Sequence, residues 1–172
     1  MAITRIGTML PNGAPVQLAR IVANTITITV NDSVKLASGF LALGTTGALV
    51  FGHVMGLGSE KGMGLNTTGV AGAEIGSFID TFATASNNQT VAKVKATCDV
   101  SKFTLYSAEE SAAIGSTTGS NLAGYTQDLS DEDTLSESTA LTTTGQYMGH
   151  GVDPSNSANA VVNIFESQVF GV

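Results

Sequence analysis

Polar and apolar residues alternate with a period of two along much of this chain, the spacing that turns one face of a β-strand inward and the other outward. Thr25-Ile26-Thr27-Ile28-Thr29-Val30 is the clearest case, with Ile26, Ile28 and Val30 on one face. Asn31-Asp32-Ser33 supplies turn residues and Val34-Lys35-Leu36 resumes the alternation, so the two segments together predict a hairpin. Continuous apolar runs over 39–43 and 48–55 are split by Gly44-Thr45-Thr46-Gly47. Their shortness and glycine flanks predict buried strands joined by a tight turn. Residues 91–96 alternate again, with Lys93 and Lys95 outward and Ala92, Val94 and Ala96 inward, and 102–106 repeat the pattern with Phe103 and Leu105 inward. From 160 to 170 apolar residues occupy both faces, which predicts a closing strand internal to a sheet or covered by a partner.

Four stretches depart from this pattern. Residues 1–20 hold two of the three prolines and neither periodicity, and predict an extended N-terminal arm. Its apolar members Ile3, Ile6, Met9, Leu10, Val16 and Leu18 are too many for a solvated tail, so the arm should lie on its own domain or on a neighbour, and these six are the candidate interface residues. Residues 56–76 carry seven glycines and predict short strands with irregular loops or bulges. Ser107, followed three residues later by Glu110, has the form of a capping box, and the segment to Ile114 stops at Gly115, which predicts a short helix around Ala108–Ile114. The acidic stretch 120–137 predicts a loop with at most a short helix. No repeat with a period of 20 to 50 residues and no linker is visible, so residues 21–172 read as one β-rich domain: all-β, a barrel or sandwich with one short helix.

Composition sharpens this. A chain of 172 residues buries about two thirds of its unfolded surface and needs no staples to hold a core. Charged residues make up only 12%, so much of the surface must be Thr, Ser, Asn, Gly and Ala. Small neutral side chains lose little rotamer entropy and no ionic hydration when a partner covers them, which favours assembly. A net charge of -7 and a pI near 4.5 oppose the phosphate neutralisation on which nucleic-acid affinity depends, so no nucleic acid is expected as partner. The first ten residues lack a basic region followed by an apolar stretch, and no window approaches a membrane span, so neither secretion by a cleaved signal nor a membrane partner is expected.

Candidate chemistry is sparse, and no catalytic, cofactor-binding or metal-ligating residue is assigned. His53 and His150 lie far apart without ligand-spaced neighbours, and packed or hydrogen-bonded roles explain them best. Serines abound and Asp153 is near His150, yet no nucleophile elbow is present. The segment from Gly56 to Gly62 has its third glycine one residue late for a dinucleotide loop and leads into a poor helix start. Residues 128–133 could draw a hard cation but lack the EF-hand spacing, so a solvated acidic loop is the better reading. Cys98, the single cysteine, reads as a small buried hydrophobe.

Four segments carry a family resemblance: ASGFLALGTTGALVFGHVMGL, SNNQTVAKVKA, GYTQDLSDEDTLSESTA and GHGVDPSNSANAVVNIFESQVF. Together they resemble the decoration, or cement, proteins of tailed-bacteriophage capsids, over about residues 20–172. The resemblance implies a structural virion protein without enzymatic activity. It would be made in the host cytoplasm and bound to the major capsid protein on the outer face of the shell, as a homo-oligomer with a trimer favoured. Another virion subunit (shell, tail tube or fibre) and a glycan-binding β-sandwich are the alternatives; the absence of Trp weakens the second.

Overall fold

A computed structural model describes residues 3–10, 16–23, 26–59, 68–70, 74–75, 78–79, 94–114, 122–141, 145–165 and 167–169. Within them the protein is all-β. The strands are β1 (Thr4–Thr8), β2 (Gln17–Ile21), β3 (Thr27–Thr29), β4 (Ser33–Ala37), β5 (Phe40–Leu43), β6 (Gly52–Ser59), β7 (Thr68–Val70), β8 (Glu74–Ile75) and β9 (Phe78–Ile79), followed by β10 (Val94–Asp99), β11 (Thr104–Glu110), β12 (Thr126–Asp131), β13 (Thr134–Leu141), β14 (Tyr147–Asp153) and β15 (Asn156–Ile164). Two main sheets result, β2-β10-β6-β4-β5 and β1-β11-β13-β12-β14-β15, with small β3–β7 and β8–β9 pairs beside them.

Both main sheets curl back on themselves. In the first, Val22 bridges Leu41 in parallel and the Ala23 amide donates to the Leu41 carbonyl at 2.8 Å, which joins β2 to β5. In the second, β11 pairs antiparallel with β15 and in parallel with β13, and the Ser111 amide donates to the Leu135 carbonyl at 2.8 Å. Each ring therefore contains five strands joined by one plan. First pairs with fifth, fifth with fourth, fourth with second and second with third, all antiparallel, and third returns to first in parallel.

The correspondence extends to single residues. Ahead of the second strand, Asn31 and Gly124 both stand at φ 82°, the left-handed region where glycine and asparagine carry the least penalty. The Asn31 amide donates to Val54, Val54 to Asp32, Asp32 to Thr29 and Phe51 to Val34. In the second ring Gly124 donates to Gly149, Gly149 to Tyr125, Tyr125 to Leu122 and Gln146 to Gln127, the same four backbone bonds. The fourth strand of each ring bulges at a matching place, beside Met55 opposite Thr97 and Cys98, and beside His150 opposite Val161 and Val162. Along the fifth strand, Lys95–Val100 and Asn159–Ile164 share one order of half-buried and buried positions. No fixed sequence period accompanies this, because the fourth-to-fifth connection spans 60–93 in the first ring and only Pro154-Ser155 in the second.

Each ring has its own core. Val22, Ile28, Val34, Leu41, Phe51, Val54, Val94, Ala96, Cys98 and Val100 fill the first. Ile3, Val50, Tyr106, Ala108, Leu122, Leu129, Leu135, Tyr147, Ala160, Val162 and Ile164 fill the second.

Several sequence expectations need correction. The segment expected as a helix is strand to Glu110 and then bend and turn to Ile114, because Tyr106, Ala108 and Glu110 all point into the ring and period two prevails over the capping signal. The stretch expected as an acidic loop contains the β12–β13 hairpin, whose turn is Glu132-Asp133. β3 and β4 do not pair; the hairpin is β4–β5, closed by Ser38 and Gly39 at φ 51° and 86°. β5 and β6 do not neighbour each other, since β4 lies between them. The arm is built into the sheets: β1 pairs with β11, and β2 with β10. The expected closing strand falls at Asn156–Ile164, between β14 and β11.

Candidate functional site

The densest polar chemistry lies where the two rings meet. His53, on β6 and 2% exposed, is brought against β14 and β11, with its ring centroid 4.1 Å from Tyr106 and 5.6 Å from Tyr147. Burial lowers its pKa to about 4, so the imidazole is neutral at pH 7 and carries one N–H. A carbonyl can only accept, so the contact of Nδ1 with the Asn31 oxygen at 3.4 Å assigns the proton to Nδ1. Nε2 then accepts from the Tyr147 hydroxyl at 3.0 Å, and Tyr147 accepts from Ser33 Oγ at 2.7 Å.

Ser33, Tyr147 and His53 thus form a hydroxyl-to-imidazole chain that resembles a relay in outline. Its environment differs from that of a working one. Ser33 and Tyr147 are fully buried, so neither hydroxyl meets solvent, and burial raises the tyrosine pKa. The chain fastens β4 and β6 of the first ring to β14 of the second.

Gln146 makes a second fastening. Its side-chain oxygen accepts from the Leu129 amide at 2.8 Å and the Gly47 amide at 3.3 Å, while its Nε2 donates to the Thr45 carbonyl at 3.0 Å and to that of Ala48. The loop predicted over Gly44–Gly47 is therefore held by one buried side chain of the second ring. At the β10–β11 crossover, buried Asp99 accepts from the Ser101 amide at 3.0 Å and Thr104 Oγ1 at 2.8 Å, and Arg5 stands 3.7 Å away.

The other sequence candidates do not converge on these groups. His150 is exposed at the second ring's bulge and donates from Nε2 to Asn163 Oδ1 at 2.7 Å. Gly56–Ser59 belong to β6 rather than to a phosphate-binding turn, and 60–62 lie outside the described residues. Asp131, Glu132 and Asp133 surround the β12–β13 turn, and Glu132 accepts from the Ser33 amide through its backbone carbonyl at 2.7 Å. Among the described residues no three His, Cys, Asp or Glu side chains are placed to hold a metal ion. Cys98 is fully buried and its thiol is pushed up to about 12, which makes it unreactive. An open groove of about 460 Å³ runs between Glu110–Ile114 and Ser157-Ala158.

The six candidate interface residues divide. Ile3 is buried in the second core and Leu18 packs against the first. Ile6, Met9, Leu10 and Val16 remain exposed, at 50%, 42%, 42% and 36%. Phe103, expected inward, is 42% exposed, because Thr104 and Tyr106 take the inward positions instead. It joins the exposed set: the Met9 amide donates to the Phe103 carbonyl, and the Val100 amide to that of Val16. Leu49, Met55 and Phe165 are further exposed apolar residues the sequence reading missed. Met55 stands at the first ring's bulge, as His150 does at the second's. No protein-family model, curated protein or solved structure matches the chain.

Proposed function

We propose that this protein is a structural component of a virion that decorates and stabilises the outer surface of a bacteriophage capsid through contacts with the major capsid protein. On this reading each five-stranded ring is a small closed barrel, and the pair forms a rigid block with no catalytic role. The observation that carries the reading is the apolar group Ile6, Met9, Leu10, Val16 and Phe103, which stays outside two complete cores on an otherwise weakly charged chain. Every ~100 Å² of such surface covered contributes about 2.5 kcal/mol before ordering costs, so a lattice of repeated contacts is stabilised by modest patches. The buried Ser33–Tyr147–His53 chain supports a fastening role over a catalytic one.

The test is reconstitution. Purified protein added to capsids that lack it should bind saturably and raise their resistance to heat or chelation. Capsids that take up no protein, or are no more resistant once decorated, exclude this function. Tubes or lattices formed by the pure protein would favour a shell or tail-tube subunit instead, and saturable glycan binding a surface lectin.

A further inference from the structure

The two rings differ in one part that the shared plan makes conspicuous. In the second ring, the first strand β11 carries β1 along its outer side, with Thr4 opposite Ser107, Arg5 opposite Tyr106, Gly7 opposite Leu105 and Thr8 opposite Thr104. Tyr106 faces Val162 and Leu18 faces Cys98, and these fifth-strand partners occupy matching bulge positions, so β2 residues 16–19 correspond to β11 residues 104–107. Among the described residues nothing pairs with that side of β2. The Val16 carbonyl and the Val22 amide are bonded on the β10 side, to Val100 and Val94. Strand alternation therefore turns the amides and carbonyls of Gln17, Ala19 and Ile21 outward. One of those groups has a local cap, an exposed Arg20 guanidinium donating to the Ala19 carbonyl at 2.9 Å.

We infer that β2 accepts the outer edge of β1 from a second copy of this chain, so that one β1 serves the second ring of its own copy and the first ring of its neighbour. β1 is the occupant that fits, because it already covers the corresponding strand of the second ring. It also pairs on one side only among the described residues, so it can bridge without leaving β11. β1 and β2 have the same length of 5 residues. Ile6, on β1, and Val16, next to β2, are exposed where the two edges would meet. A strand edge with no neighbouring strand is a template for another, and joining two such edges pairs their outward donors with acceptors. The contact joins unlike surfaces, head to tail, and so closes into a cyclic oligomer when its rotation permits. This inference stands on the comparison of the two rings and does not need the capsid reading.

The experiment is sedimentation of the full chain across a concentration series, with backbone amide exchange followed by NMR. The wild type should form a closed oligomer. Gln17, Ala19 and Ile21 should be protected in it, and should exchange at least tenfold faster in the 17.5 kDa monomer obtained by dilution. Ala19→Pro removes only an outward N–H and should sediment as a monomer with an unchanged β-sheet spectrum. Should that variant not fold, Ile6→Asp, at a half-exposed site, should weaken association at least tenfold. A wild type that stays monomeric at millimolar concentration overturns the inference. So does an oligomer indifferent to both substitutions, or full protection of the three amides in the monomer. A monomer whose β2 amides become protected only on adding capsids also overturns it, while leaving the decoration role standing.

Discussion

The two rings solve one topological problem with different interiors. The hydrophobic core of the first is aliphatic apart from Phe51 and Cys98, and its buried Ser33, His53 and Asp99 lie at the junction or the crossover to the second ring. The second places Tyr106 and Tyr147 in its core and also buries Glu110 and Gln127, which bond to each other at 2.8 and 2.9 Å. Strand order, turn conformation and bulge position survive this change of contents. Backbone requirements, set by the left-handed turn at Asn31 or Gly124 and the bulge at Met55 or His150, therefore define the unit more strictly than the identity of what it encloses. A polar interior also makes neighbouring parts more interdependent, because each buried donor or acceptor left unmatched costs about 1–3 kcal/mol.

Truncation of the corresponding leucines gives the largest effect. Leu41→Ala and Leu135→Ala should each lose about 2–5 kcal/mol in urea unfolding. All three tyrosines, Tyr106, Tyr125 and Tyr147, belong to the second ring, so their near-UV signal reports that ring while far-UV circular dichroism reports both. The fastenings at the junction predict coincident transitions for both variants; a tyrosine signal that outlasts the first ring in Leu41→Ala would show that the rings unfold separately.

Acid comes next. Buried His53 binds its proton at about 4 when folded and at 6.5 when free, so as pH falls from 6.5 to 4 the unfolded state gains protons first and stability is lost, by about 3 kcal/mol. Asp32 acts oppositely. Burial, with help from Glu132 and Asp133, raises it from 3.8 to about 6, so the folded state binds the proton first and stability is gained as pH falls through that window. The two contributions offset each other in the wild type. Asp32→Asn should expose the histidine loss as a fall between pH 6.5 and 4, His53→Gln should leave the Asp32 gain alone so that stability rises as pH drops through about 6, and identical slopes in all three proteins would refute the opposition.

A smaller loss, about 2 kcal/mol, is expected from Gln146→Met, which keeps the volume but strands the Leu129 amide and the Thr45 and Ala48 carbonyls. Combined with Leu41→Ala it should be less than additive if the fastening couples the rings. The smallest effect is Cys98→Val, which installs in the first ring the residue the second has at the same place, Val162. A change below about 1 kcal/mol is expected, and a larger one would mean that the cores are not interchangeable there.

The sequence was readable where the interior is apolar and misleading where it is not. Alternation located the strands at Ile28, Val34–Leu36 and Val94–Ala96, because in each the inward residue is hydrophobic. Around Glu110 and from Thr126 to Gln127 the inward residues are polar, so a correct period of two looked like a helix cap in one case and a loop in the other. Pairing was harder still, since which strand lies beside which depends on contacts such as Leu36 with Gln168 that no local pattern encodes. The apolar residues of the first twenty were legible as a group. Their division into Ile3 and Leu18 inside and Ile6, Met9, Leu10 and Val16 outside depends on the strand bulge between Arg5 and Gly7 and on pairing across the chain.

Pro154-Ser155 closes the second ring's last hairpin in two residues, whereas the first ring runs from 60 to 93 between the matching strands and still completes its circuit. The architecture thus tolerates a long excursion at that corner. Foreign peptide grafted between Pro154 and Ser155 should leave the host scaffold intact, making that tight corner the natural place for display.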